Sequence, residues 1–163
     1  MRKEIAATAI FAVAGLVGTL VSGHPWPARI PNALFYAVLV LNTYFSIRFF
    51  GGLPPADRNE AVIDGVLAIL YFALALAIGW NLAFALASSL LFAAAMLKYV
   101  LLLRLIDRTI LVRKIAIDGA GFLLCAATLA GCYFGYALES AWLQALVFGL
   151  ANVYLLAIRP MYA

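Results

Sequence analysis

The sequence contains few charged residues for its length. Lys, Arg, Asp and Glu make up 11% of its 163 residues, whereas a soluble domain has about 25%. Hydrophobic residues make up 67%, and the mean hydropathy is +1.08. A soluble domain of this size buries only roughly 70% of the surface of its unfolded chain, so this chain needs lipid around it. The composition predicts an all-α integral membrane protein with a single transmembrane domain, residues 1–163.

Residues that bind metals and cofactors are also scarce. The sequence has one histidine, His24, and two cysteines, too few for a structural zinc site, bis-histidine haem or an iron–sulfur cluster. In a helix, Cys125 and Cys132 would lie roughly 10 Å apart, too far for a disulfide. No GxSxG, HExxH or glycine-rich phosphate motif occurs. We therefore expect no metal, no cofactor and no enzymatic activity.

Apolar segments long enough to cross a bilayer occur six times. About 20 apolar helical residues span a hydrocarbon core of roughly 30 Å. The predicted spans are residues 4–22, 32–50, 60–79, 82–104, 114–135 and 140–159. The prolines between the first two spans are expected to keep that connection non-helical. The first run has a basic head like that of a secretory signal, but it is longer than a signal core and is interpreted as a span.

The distribution of basic residues predicts the orientation, because Lys and Arg are enriched in cytoplasmic loops. One side of the predicted bundle holds Arg2, Lys3, Arg48, Arg58, Arg104, Arg108, Arg113, Lys114 and Arg159. The opposite side holds Arg29 alone. Trp26, Trp80 and Trp142 fall at the membrane boundary on that opposite side, and tryptophan is favoured at such boundaries. We expect a multi-pass protein of the cell's inner (plasma) membrane with both termini cytoplasmic. The net charge of +4 then reflects topology rather than binding of nucleic acid.

Parts of the sequence recur at a nearly constant interval. Residues 61–65 (AVIDG) resemble residues 115–119 (IAIDG), and tyrosines recur every 55 residues at positions 44, 99 and 154. The recurrence predicts three repeated helical hairpins, packed as one bundle around a pseudo-threefold axis. The first hairpin departs from the pattern, because Ala7 stands where the later hairpins have an aspartate.

Ionisable residues inside the spans are candidate functional residues, because burying them in a membrane is costly. Lys98 has two interpretations: its ammonium group reaches the lipid headgroups, or it faces the bundle interior. Asp64 and Asp118 lie near helix starts, where the helix dipole alone stabilises a carboxylate. The polar residues expected at one depth are Lys98, Asp64, Asp118, Asn42, Asn152, Tyr44, Tyr99 and Tyr154. We hypothesise that Lys98 neutralises one or both aspartates in this layer.

Two function classes fit these features best. The first is a transporter or channel for a small solute or ion that uses the polar layer near the cytoplasmic side. Six spans in three hairpins are similar in layout to the proton-gated urea and amide channel family, a likeness that assigns no residue. The alternative is a non-catalytic membrane subunit, an anchor, or an assembly or scaffold protein of a larger complex. A lipid-modifying enzyme ranks last for want of a recognisable nucleophile, base or metal ligand.

The lipid bilayer is the expected surrounding of the chain. Small residues four apart, such as Ala141, Ala145 and Gly149, allow helix backbones to approach closely. Internal packing is the favoured interpretation, and a homo-oligomer or a partner membrane subunit are the alternatives.

Overall fold

A computed structural model describes residues 3–50, 58–103 and 108–158. Within these ranges the chain is all-helical, without strands, and confirms the all-α class. The helices are α1 Lys3–Val21, α2 Trp26–Phe50, α3 Arg58–Leu76, α4 Asn81–Leu102, α5 Arg108–Tyr133 and α6 Ala137–Val153. A π-helical segment, Tyr154–Ile158, continues α6.

Five of these helices are long and apolar enough to cross a membrane: α1, α2, α4, α5 and α6 with its π-helical extension. The sixth, α3, has a shorter apolar part, Ala61–Leu76. At 1.5 Å per residue that part is about 24 Å long, somewhat less than the roughly 30 Å of a hydrocarbon core.

Glycines in left-handed backbone conformations form the tight connections. Gly79, between α3 and α4, has φ +93°, and Gly135, between α5 and α6, has φ +89°. After α5, Tyr136 N–H donates to the Gly131 carbonyl at 2.9 Å and Gly135 N–H to the Cys132 carbonyl at 3.2 Å. This pair of bonds is the Schellman motif, which favours glycine at the left-handed position. The two connections therefore reverse the chain within a few residues.

The start of α2 differs from the prediction. The prolines were expected to keep residues 23–31 non-helical, whereas α2 begins at Trp26 and contains Pro31. The N–H groups of Ala28 and Arg29 bond to the Pro25 carbonyl. Pro27 lies in the first turn, where N–H groups have no intrahelical acceptors and proline costs little. Pro31 lies in the second turn, where it removes one intrahelical hydrogen bond. The helix therefore begins among the prolines and continues past Pro31.

The helices form a closed ring in the order α1, α2, α6, α5, α4, α3. Each predicted hairpin packs together, but the hairpins meet mainly through unlike pairs: α1 with α3, α4 with α5, and α2 with α6. A threefold axis would make these three interfaces equivalent. Across the described residues, the main packing is therefore not threefold.

Phenylalanines from α2, α4 and α6 fill the centre of the ring. The Phe35 ring centroid lies 4.4 Å from that of Phe148 and 5.6 Å from that of Phe84, and the Phe92 and Phe148 centroids are 5.7 Å apart. All four side chains are buried. Offset and edge-to-face contacts at these distances are favourable, so the three even-numbered helices share one aromatic core.

Small residues set the closest helix approaches. A Cβ atom added at Gly18 of α1 would overlap the backbone carbonyl of Ala75 in α3. On α6, Ala141 and Ala145 are buried, whereas a Cβ at Gly149 would meet no atom within 4 Å. The small residues therefore serve internal packing at Gly18, Ala141 and Ala145.

Candidate functional site

The two ends of the bundle differ in composition. We call the end where α1, α3 and α5 begin the basic end; it carries Lys3 and Arg48. The opposite end, with Trp26, Trp80 and Trp142, is called the tryptophan end. These names fix the depth of each site described below.

A buried ion pair on α5 is the main polar feature of the interior. Lys114 Nζ lies 2.7 Å from Asp118 Oδ1, and the two side chains are only 6% and 2% exposed. Lys114 was predicted to begin the fifth span, among the basic residues of this end. Because α5 begins at Arg108, Lys114 lies well inside the helix. Its ammonium group turns toward Asp118, away from the basic end.

Helix stability alone does not explain this pair. An acidic residue that precedes a basic one by four positions suits the helix dipole, and the reverse order, found here, is the weaker arrangement. Removing both charges from water costs several kcal/mol per ion, which their attraction only partly offsets. Intramembrane ionisable residues that persist despite this cost are functional candidates.

A tyrosine from α4 and a serine from α2 connect to the pair. Lys114 Nζ lies 5.4 Å from the centroid of the Tyr99 ring in α4, within the range of a cation–π contact. The Tyr99 hydroxyl is hydrogen-bonded to Ser46 Oγ of α2 at 2.9 Å. Ser46 lies about one turn along α2 from Thr43, which contacts Tyr71 of α3.

Helix α2 completes this group, because the Tyr71 hydroxyl is hydrogen-bonded to Thr43 Oγ1. Thr43 Oγ1 also donates to the Leu39 carbonyl at 2.8 Å. Four helices thus contribute polar side chains to one region. We call this group the buried polar cluster; its members are Thr43, Ser46, Tyr71, Tyr99, Lys114 and Asp118.

One oxygen of the cluster lacks a partner. Asp118 Oδ1 accepts the Lys114 bond, but Asp118 Oδ2 is buried without a hydrogen-bond partner among the described residues. A buried polar atom without a partner costs about 1–3 kcal/mol. The vacant lone pairs of Oδ2 can therefore accept a proton or a donor group from a bound molecule.

A second buried oxygen without a partner occurs on the neighbouring helix α6. Asn152 Nδ2 donates to the Phe148 carbonyl at 2.9 Å, whereas Asn152 Oδ1 has no partner within the part of the chain described. Asn152 and Asp118 are equally far from the turn at Gly135 on antiparallel helices, so they lie at about the same depth.

Lys98 forms a different ion pair, nearer the surface. Its Nζ lies 2.5 Å from Asp64 Oδ1, linking α4 to α3, with side-chain exposures of 18% and 50%. The structure thus places Lys98 beside one of the two aspartates named in the hypothesis. Asp118 is paired with Lys114 instead.

Among the described contacts, none joins Tyr44 or Tyr154 to the cluster. The Tyr44 ring packs edge-on against Phe45 at 5.3 Å, Tyr154 is exposed and Asn42 is half-buried. Tyr99 is the one recurring tyrosine that the structure places in the cluster. The residues at repeat positions thus have unlike surroundings.

Four members of the cluster were not among the candidate residues predicted from the sequence. Lys114 was counted as a topology signal at the start of the fifth span, and Thr43, Ser46 and Tyr71 were not proposed as site residues. Tyr71 had a signal that could have found it, because it is the only polar residue among residues 66–78. For Lys114, the signal was a basic residue four positions before a span aspartate.

Asparagine side chains link three helices near the tryptophan end. Asn32 Nδ2 donates to Asn81 Oδ1 at 2.9 Å, and Asn81 Nδ2 donates to the Ala137 carbonyl at 3.1 Å. Asn81 therefore ties α2, α4 and α6 together. These two bonds join the helices to one another at this end of the bundle.

Deeper in the bundle, Gln144 Nε2 donates to Ser88 Oγ and Cys125 Sγ, at 3.2 Å each. Cys125 is a buried free thiol in this contact. Within residues 3–50, 58–103 and 108–158, no three His, Cys, Asp or Glu residues lie close enough to hold a metal ion.

Comparison with protein-family models, with curated proteins and with solved structures gives no match for this chain. The candidate site is therefore interpreted from its own geometry.

Proposed function

We propose that all six helices cross the inner (plasma) membrane and that both termini are cytoplasmic. Large apolar side chains are exposed on α1, α3 and α6, for example Val21, Leu76 and Leu150, and water would not favour them. The separation of basic residues from tryptophans at opposite ends supports the orientation. The apolar part of α3 is short by only a few ångströms, a mismatch that costs fractions of a kcal/mol per Å.

We infer that the chain transports a small solute or ion and that the buried polar cluster binds it. The observation that carries this proposal is the Lys114–Asp118 pair, buried among four helices with one carboxylate oxygen unpaired. Asp118 Oδ2 accepts a proton or a hydrogen-bond donor of the solute, and Lys114 holds the carboxylate in place.

The position of the aromatic core favours a carrier over an open pore. By residue count from the connecting turns, Phe84 lies nearest the tryptophan end, and Phe35, Phe92 and Phe148 lie about three turns inside it. The core thus closes the route from the cluster to that end. Passage requires the helices to rearrange, as in transporters that expose one site alternately to each side.

We propose that the hairpins descend from one repeated unit, although their present packing is not threefold. The recurring segments at residues 61–65 and 115–119 support descent of the hairpins from one unit. Asp64 is half exposed and Asp118 is buried, so the last hairpin would have acquired the binding site.

Flux into liposomes tests the proposed function. The purified chain is reconstituted and assayed with H⁺, Na⁺, K⁺, Cl⁻ and urea as probes. For at least one probe, Asp118→Asn should reduce flux at least about tenfold, a barrier increase of about 1.4 kcal/mol. Asp64→Asn is the matched control and should change flux little, because Asp64 lies outside the cluster. Flux no greater than in empty liposomes for every probe, or equal flux in both variants, would contradict the proposal.

The second candidate is a non-catalytic membrane subunit or scaffold. The filled aromatic core favours it, because Phe35, Phe84, Phe92 and Phe148 obstruct the centre of the bundle. It predicts that a partner copurifies in a fixed ratio from detergent-solubilised membranes. Such a partner, together with no flux of any probe, would favour this function.

A further inference from the structure

An apolar groove of about 750 Å³ runs along the outside of the bundle between α1 and α3. Its wall is formed mainly by exposed aliphatic and aromatic side chains. The residues that shape its floor and rims include Ala9, Val13, Val17 and Val21 of α1 and Phe72 and Leu76 of α3. Because α1 and α3 are held together at Gly18 and Ala75, the groove is a fixed feature of the fold.

The dimensions of the groove suit a single hydrocarbon chain. From Ala9 to Ser22 it extends about 20 Å along α1, somewhat more than half of the roughly 30 Å hydrocarbon core. Its lining is apolar over this length apart from Ser22 at the tryptophan end, as a hydrocarbon chain requires.

The positively charged side chain of Arg29 lies near the tryptophan end of the groove. Ser22 lines that end, and the close approach of the chain at Gly79 places Ser22 Oγ and Arg29 Cγ against the same backbone position. Arg29 Nη1 donates to the Thr19 carbonyl at 3.2 Å, and its guanidinium carbon lies 4.9 Å from the centroid of the Trp26 ring. The Arg29 side chain is therefore held next to the groove.

Within the described ranges, the Arg29 guanidinium keeps donors that bond to no protein acceptor. It carries five N–H groups, of which one bonds to the Thr19 carbonyl and one to the His24 carbonyl. A planar guanidinium matches phosphate with two parallel hydrogen bonds. A phosphate at Arg29 and an apolar chain in the groove are the two parts of one phospholipid.

We propose that this groove binds one acyl chain of an anionic phospholipid whose phosphate contacts Arg29. The site rests on the proposed placement of the chain in a membrane but not on transport. An apolar groove alone does not select a lipid; Arg29 supplies the preference for an anionic headgroup over a zwitterionic one.

Native mass spectrometry of the detergent-solubilised full chain tests the proposal. The probes are phosphatidylglycerol and phosphatidylcholine with the same acyl chains, added in equal amounts. We expect one retained phosphatidylglycerol per chain, in at least about tenfold preference. Val13→Phe combined with Val17→Phe narrows the groove and should remove the retained lipid. Leu16→Phe combined with Leu20→Phe adds the same rings to exposed positions of α1 outside the groove and should leave the lipid bound.

The headgroup contact is tested separately. Arg29→Gln should abolish the preference for phosphatidylglycerol, whereas Arg48→Gln, an exposed residue at the basic end, should preserve it. Circular dichroism verifies that each variant is folded. Equal lipid retention by the groove variant and its control would overturn the proposal, as would a lipid-free dimer. A chain that retains the lipid but shows no flux would contradict the transport function alone.

Discussion

Replacing Lys114 by methionine is the most informative stability experiment. Methionine keeps much of the length and volume of the side chain but removes its charge. Because Lys114 and Asp118 are 6% and 2% exposed, the substitution leaves a carboxylate buried with neither of its oxygens paired to a cation. Removing one member of a buried pair costs about 3–5 kcal/mol.

The double variant Lys114→Met, Asp118→Leu separates this cost from simple loss of packing. It removes both charges, and apolar replacement of a buried pair is often neutral or stabilising. We expect it to be more stable than Lys114→Met alone, with a coupling energy of about 2 kcal/mol or more, since contacting residues couple by up to about 3 kcal/mol. The partly exposed Lys98–Asp64 pair is the matched control and should give at most about 1 kcal/mol.

Reversible unfolding in mixed detergent micelles, followed by far-UV circular dichroism against the fraction of dodecyl sulfate, measures these free energies. The reasoning is refuted if Lys114→Met costs less than about 1 kcal/mol. It is equally refuted if the loss in the double variant equals the sum of the two single losses, because the charges would then be independent.

The same unfolding assay checks two further predictions. Gly18→Leu should destabilise the chain by about 1–3 kcal/mol, because its Cβ overlaps the Ala75 carbonyl. Gly149→Ala is its control and should be neutral or stabilising by at most about 1 kcal/mol. Asn81→Ala should cost about 1–3 kcal/mol, because it leaves the buried Asn32 amide without its acceptor. An unchanged midpoint in either Gly18→Leu or Asn81→Ala would show that the contact contributes nothing.

The helices were largely predictable because their signal is local. Apolar runs of membrane-spanning length are visible in the sequence, and Gly79 and Gly135 mark two of the connections between them. The ends were less predictable. Pro31 was interpreted as a helix breaker, whereas α2 continues through it at the loss of one intrahelical hydrogen bond.

The candidate site was only partly predictable, because it depends on which helices meet. Asp118 and Tyr99 were recognised from their depth. Lys114 was placed at the start of the fifth span and counted as a topology signal, because charge near a predicted boundary normally is one. Its inward rotamer and its contact with Tyr99 depend on the packing of α4 against α5, which hydropathy does not encode.

The order of the helices around the ring also could not be predicted from the sequence. Recurring residues such as Asp64 and Asp118 predicted equivalent surroundings, whereas the structure exposes the first and buries the second. Helix contacts follow local shape, such as the Gly18–Ala75 approach, and this need not preserve an ancestral symmetry.

Counting the membrane crossings tests the central claim most directly, because α3 has the shortest apolar part. A variant without Cys125 and Cys132 would carry one new cysteine, from Lys3→Cys, Ile158→Cys or His24→Cys, and would be treated with a membrane-impermeant maleimide on spheroplasts. With six crossings, His24→Cys is labelled from outside, whereas Lys3→Cys and Ile158→Cys are labelled only after the membrane is permeabilised. Labelling of Lys3→Cys and Ile158→Cys from opposite sides would show an odd number of crossings and contradict the account.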